Sequence, residues 1–85
     1  MQELCMTKEL VHGVASTIKL LRVAKQLSQE ELADKAGLDR TYISGVERGV
    51  RNITLDSLES IVNALDVDVS TFLATLNECI VENSQ

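Results

Sequence analysis

The chain has 85 residues, 13 acids against eight bases, a net charge of −5, no proline or tryptophan, and a single phenylalanine and tyrosine. That length holds one domain, residues 1–85, with a small core and little room for an enzyme pocket, so a second copy would help to cover it. No run reaches the ~20 apolar residues needed to span a bilayer, and no secretory leader pattern starts the chain, so a cytoplasmic protein with no membrane role is expected.

Residues 1–6 show no pattern and are expected to fray, and Met6 is an alternative start. Thr7 is a candidate cap for a first helix, with Glu9 in its first turn. Val11, Val14, Ile18 and Leu21 recur at three- and four-residue steps, the mark of a buried stripe. Gly13 costs roughly 1 kcal/mol relative to alanine inside a helix. It therefore either allows a close helix approach or precedes the regular helix. His12 has no catalytic partner in sequence and reads as a surface residue. Leu20 and Val23 either pack against the last helix or lie exposed. The helix should end near Gln26, in a left-handed turn that suits glycine better.

Ser28 and Glu31 form a capping box for a second helix, about Gln29 to Ala36. Leu32, Ala33 and Ala36 share one face, and Gly37 supplies the left-handed end. Asp39 can cap a third helix, about Arg40 to Arg48, by accepting from the amides of Thr41 or Tyr42. Gly49 ends it. Ile43 and Val46 face inward, which leaves Arg40, Thr41, Tyr42, Ser44 and Arg48 for solvent or a partner. A helix–turn–helix of this size can lay its second helix in a DNA major groove. By spacing alone, a plain helical hairpin in a small bundle looks much the same.

After a loop at Val50–Ile53, Thr54 caps a fourth helix, about Leu55 to Leu65, with Asp56 in its first turn. Leu55, Leu58, Ile61, Val62 and Leu65 form its expected core stripe. Asp68 is the expected cap of a fifth helix, about Val69 to Val81. Its stripe of Val69, Phe72, Leu73, Leu76 and Ile80 is long for so small a domain. Phe72 and Leu73 are the best candidates to cover the core. The excess toward Leu76 and Ile80 points to a dimer surface at about residues 68–82, or to simple cover for the first helix.

Cys5 and Cys79 lie near opposite ends with no metal spacing, and small apolar filler in a reducing compartment is the expectation. There is no cluster of His, Cys and carboxylates, no phosphate-binding glycine loop and no nucleophile–base pair, so no catalytic residue, metal or cofactor is expected. The charge is polarised. All eight bases lie between Lys8 and Arg51, and the six acids Asp56, Glu59, Asp66, Asp68, Glu78 and Glu82 lie beyond Thr54, where no base occurs. Only the central part could approach a polyanion, and the acidic end should weaken non-specific binding. Such acids also serve simply as a solvated face.

Gln29, Ala33, Gly37, Ile43 and Glu47, with Arg22 seven residues before Gln29, resemble the pattern of the phage Cro and repressor type of helix–turn–helix domain. The stretch Asp39-Arg40-Thr41-Tyr42-Ile43-Ser44-Gly45-Val46-Glu47-Arg48, followed by Arg51-Asn52, resembles the controller proteins of bacterial restriction–modification systems. The resemblance covers about Ile18 to Phe72. It implies an all-α, compact five-helix bundle of the lambda-repressor-like DNA-binding type, with the second and third helices as the helix–turn–helix. It implies a structural ion pair between Arg22 and Glu47, a guanidinium fork on a carboxylate. It implies a homodimer through Phe72, Leu73, Leu76 and Ile80. Base contacts are expected from Arg40, Thr41, Tyr42, Ser44 and Arg51, and backbone contacts from Gln29, Arg48 and Asn52. Gly45 lacks the side chain that reaches a base in phage repressors, which shifts specificity onto Arg40, Ser44 and the loop. The function implied is autoregulation of the protein's own gene and an endonuclease gene from near-palindromic operators. An acidic patch at Glu30, Glu31 and Asp34 is a candidate surface for RNA polymerase, and equally a plain solvated face. Two other functions fit the residues: an antitoxin or phage-type repressor that holds a protein partner on its last helix, and a protein-interaction module without a DNA role, which the net charge favours.

Overall fold

The structure is a computed structural model and describes residues 8–83. Among them are five helices and no strand: α1 (Glu9–Ala24), α2 (Gln29–Ala36), α3 (Arg40–Glu47), α4 (Leu55–Ala64) and α5 (Val69–Asn83). The N-cap position of α1 is held by Lys8 in a left-handed conformation with φ 55°. Thr7, Cys5, Met6 and the rest of residues 1–7 lie outside the described residues.

Val14, Ile18 and Leu21 of α1 are buried, as their spacing requires, and Leu20 and Val23 are exposed. Gly13 sits inside the helix because α5 crosses there. A Cβ at this position would lie 2.7 Å from Ile80 Cγ1 and 3.0 Å from Leu76 Cδ1. One turn later, the buried Thr17 hydroxyl donates to the Gly13 carbonyl at 2.7 Å, so its burial leaves no orphaned polar group. The helix ends at Ala24, two residues earlier than expected, and Gln26 takes the left-handed turn with φ 60°. Leu27 N–H then donates to Arg22 O at 3.0 Å and closes the end.

The Ser28 capping box is present in full: Glu31 N–H donates to Ser28 Oγ at 3.0 Å, and Ser28 N–H donates to Glu31 Oε1 at 2.8 Å. Gly37 ends α2 with φ 71°, and Leu38 N–H reaches Ala33 O at 2.9 Å. The cap expected at Asp39 is different. Asp39 holds the N-cap position of α3, but its carboxylate accepts no amide of the first turn. It stands exposed, where water satisfies it equally well. The helix stops at Glu47, one residue short, with Arg48 as C-cap and Gly49 left-handed at φ 74°.

Thr54 caps α4, accepting from Ser57 N–H at 3.0 Å, and Ile61, Val62 and Leu65 reach the core. Leu55 does not: it is 83% exposed. A helical side chain covers the turn before its own Cα, and at the first helical position no such turn exists. Asp68 caps α5, accepting from Thr71 N–H at 2.7 Å. The long apolar stripe of α5 splits into two lines. Phe72, Leu76 and Cys79 are buried, with Ile80 half-buried beside Gly13. Val69 and Leu73 are each more than half exposed, so Leu73 does not help Phe72 close the core. The reason is geometric: α1 meets α5 along one line, and Val69 and Leu73 flank it.

Candidate nucleic-acid interface

The geometry of the interface starts from a polar knot where three helices meet. Arg22, near the end of α1, donates through Nε to Glu47 Oε2 at 2.7 Å and through Nη2 to Glu47 Oε1 at 3.1 Å. Its Nη1 donates to Leu27 O at 2.8 Å. Gln29, the first residue of α2, donates through Nε2 to Glu47 Oε1 at 3.0 Å. Glu47 is the last residue of α3, and its side chain is 3% exposed, against 12% for Arg22. A bidentate pair with so little water admits few other geometries, so α3 is fixed in angle against α1 and α2. Ile43 and Val46 bury the inner face of α3 against the core.

The outer face of α3 is what remains. Arg40 and Thr41 stand exposed in its first turn. Ser44 lies one turn from Arg40 on the same face and is half-buried, as is Tyr42. Arg48 is exposed at the helix end. From the loop, Arg51 returns to this helix: its guanidinium carbon lies 5.1 Å from the centre of the Tyr42 ring, within cation–π range. Asn52 follows it, exposed. Arg40, Thr41, Tyr42, Ser44 and Arg51 thus lie on α3 and one loop segment beside it.

Gly45 is buried in α3, and the stem of Arg51 covers it. A Cβ at position 45 would lie 3.2 Å from Arg51 Cβ and 3.8 Å from its Cγ. The place of the missing side chain is therefore filled by the loop arginine, a contact sequence reasoning missed. The available signal was a glycine within a helix of only eight residues, where alanine would favour the helix. A second missed contact joins α1 to the same loop. His12 is exposed, and its Nδ1 would lie 2.9 Å from a Cβ at Gly49.

The residues expected at a dimer surface divide. Phe72 and Leu76 are buried within the chain, Ile80 packs on α1 at Gly13, and Leu73 is open. Leu73 has open apolar neighbours: Leu10, which the sequence did not single out, and Leu55 and Val69, which it placed in the apolar stripes of α4 and α5. Together with Leu10 and Leu55 it lines an apolar cleft of about 440 Å³ between α1, α4 and α5. With Val69 and Leu55 it lines a second, shallower one. The acids Glu30, Glu31 and Asp34 are exposed on α2, and Glu31 is already engaged in the capping box. No helix among the described residues is long and apolar enough to cross a membrane.

Known proteins share this frame. A family model described as helix-turn-helix matches residues 18–72. The control protein C.BamHI of Bacillus amyloliquefaciens is 43% identical over 65 residues, which cover 73% of this chain and 80% of that protein. The crystal structure of the restriction–modification controller protein C.Esp1396I superposes with a TM-score of 0.83 at 46% identity, covering 85% of this chain and 95% of the other. The C.Esp1396I tetramer in complex with its natural 35 base-pair operator superposes with a TM-score of 0.82, also at 46% identity. The chain belongs to the helix-turn-helix family, and its relatives include the control proteins of restriction–modification systems.

Proposed function

We propose that the chain is a sequence-specific DNA-binding transcriptional regulator of the restriction–modification controller type. It binds near-palindromic operators as a homodimer and regulates its own gene and that of an endonuclease. The observation that carries this reading is the outer face of α3. Arg40 and Thr41 are left open there with Ser44 half-buried beside them, Arg51 is laid over Tyr42, and the Arg22–Glu47 knot fixes the helix that bears them.

Arg40 in the first turn of α3 gives two hydrogen bonds to guanine O6 and N7. Ser44, one turn on, reaches the next bases, and Thr41 bonds a base or a phosphate. Tyr42 offers its ring to a thymine methyl, and Arg51 reads a base from the loop. Gln29 keeps one N–H beyond its bond to Glu47 and stands at the N-terminus of α2, which suits a phosphate. Arg48 and Asn52 meet the backbone at the other end of the helix. The open apolar side chains Leu10, Leu55, Val69 and Leu73 gather on the α1–α4–α5 side and are covered by a second copy about a two-fold axis. Phe72, Leu76 and Ile80 then support that surface from beneath. Two α3 helices would stand roughly 34 Å apart, one DNA turn. The exposed acids of α2 are the surface offered to RNA polymerase.

The test is a footprint of the purified chain on the DNA upstream of its own gene at two salt concentrations. Protection of paired half-sites one helical turn apart, weakening steeply with salt, is expected. No protection at modest salt would refute the reading and turn attention to the acidic C-terminal half as a protein-binding surface.

A further inference from the structure

We propose that Gly45 is a specificity-determining position that acts through Arg51. The absence of a side chain at 45 seats the Arg51 stem on α3 and its guanidinium over Tyr42, so that the two side chains form one preorganised base-reading unit. This rests on the regulator reading above and deepens it.

An arginine in an exposed loop ordinarily samples many rotamers, and ordering it on binding weakens affinity. Here two contacts order it before any DNA arrives. Its Cβ, Cγ and Cδ would stand 3.2, 3.8 and 3.9 Å from a Cβ at residue 45, so the stem lies directly on the space that glycine leaves. Its guanidinium carbon stands 5.1 Å from the Tyr42 ring centre. Residue 45 is buried by this stem, so it presents nothing of its own to a ligand. Tyr42 in turn packs partly against the core, which gives the stack a rigid floor. A methyl at 45 asks Arg51 Cβ to give way by a few tenths of an ångström, and a loop residue can do so. The fold therefore tolerates the change, and the price falls on the position of the guanidinium.

Two measurements on the full chain test this. The first needs no DNA. Upfield ring-current shifts on the Arg51 side-chain protons report the stack by NMR, and Tyr42→Leu, which leaves the Phe72 and His12 rings in place, assigns them to the single tyrosine. Upfield-shifted Arg51 protons are expected in the parent, lost in Tyr42→Leu and reduced in Gly45→Ala. Arg51 protons at unstructured positions in the parent, or unchanged in Gly45→Ala, would overturn the seating. The second is a binding cycle on the duplex from upstream of the chain's own gene. Arg51→Ala should bind roughly tenfold more weakly, the worth of one good arginine contact. Gly45→Ala should bind several-fold more weakly while melting no lower than the parent, and should add no further loss in the Arg51→Ala background. An equal loss in both backgrounds would show that residue 45 acts on its own and not through Arg51. If the parent itself shows no preference for that duplex, the regulator reading fails, and the ring shifts still decide the seating.

Discussion

Removing Arg22 from the knot between α1, α2 and α3 has a consequence large enough to measure cleanly. In Arg22→Ala the Glu47 carboxylate, whose side chain is 3% exposed, keeps only the Gln29 amide at 3.0 Å. The Leu27 carbonyl also loses its donor at 2.8 Å. Leaving a buried charge without its counter-ion costs about 3–5 kcal/mol. A domain of this size has about 5–10 kcal/mol of stability in all, so the variant should stand near the edge of unfolding. Urea denaturation followed by helical circular dichroism reads this directly. With a slope of about 1–2 kcal/mol per molar for a small domain, the midpoint should fall by roughly 2 M or more. A companion variant, Arg22→Met with Glu47→Leu, removes both charges and keeps the volume filled, and it should recover most of the loss. If Arg22→Ala moved stability by less than about 1 kcal/mol, the worth of an exposed pair, Glu47 would have to be solvated in solution. The knot would then not fix α3.

Arg40→Ala should lose about 1–3 kcal/mol of operator affinity and relax the preference at one base pair, measured on duplexes substituted position by position. Gly13→Ala should melt lower than the parent. The helix gains about 1 kcal/mol, but the methyl meets Ile80 Cγ1 at 2.7 Å, and overpacking of that kind costs about 1–3 kcal/mol. A rise in melting temperature would show that α5 does not sit this close to α1. Gln26→Gly should raise the melting temperature by a few degrees, because a left-handed residue with a side chain costs about 1–2 kcal/mol at φ 60°. The hydrogen bonds from Thr71 hold the Asp68 carboxyl below its ordinary range. A depressed folded pKa stabilises above the unfolded pKa, and this contribution is lost as pH falls through the folded one. Stability should therefore decline on acidification below about pH 4, and Asp68→Asn should flatten that part of the profile in a pH series of denaturation curves.

Local chemistry is what the sequence carried most plainly. Ser28 with Glu31, Thr54 and Asp68 are caps whose partners lie three residues away, and Gly37 needs only its own backbone freedom to end α2. Such features depend on neighbours in the chain, so spacing can carry them, although the same spacing at Asp39 gave a cap position without its side-chain bond. The inward faces of α1 and α3 were legible for the same reason. The Arg22–Glu47 pair spans 25 residues, and only its resemblance to a known pattern brought it into view before the structure did.

Tertiary packing decided the rest. Gly13 was ambiguous in sequence because the reason for it is Ile80, 67 positions away and brought close only when α5 crosses α1. Leu55, Val69 and Leu73 satisfied the helical period of a core stripe, yet each lies outside the line along which its helix meets the others. Periodicity gives the phase of an apolar face but not its width, and the width is set by what packs against it. Gly45 shows the same limit at the interface itself. In the sequence it reads as a missing contact. In the fold it is the floor on which Arg51 lies, because a loop that follows α3 turns back over the helix it has just left.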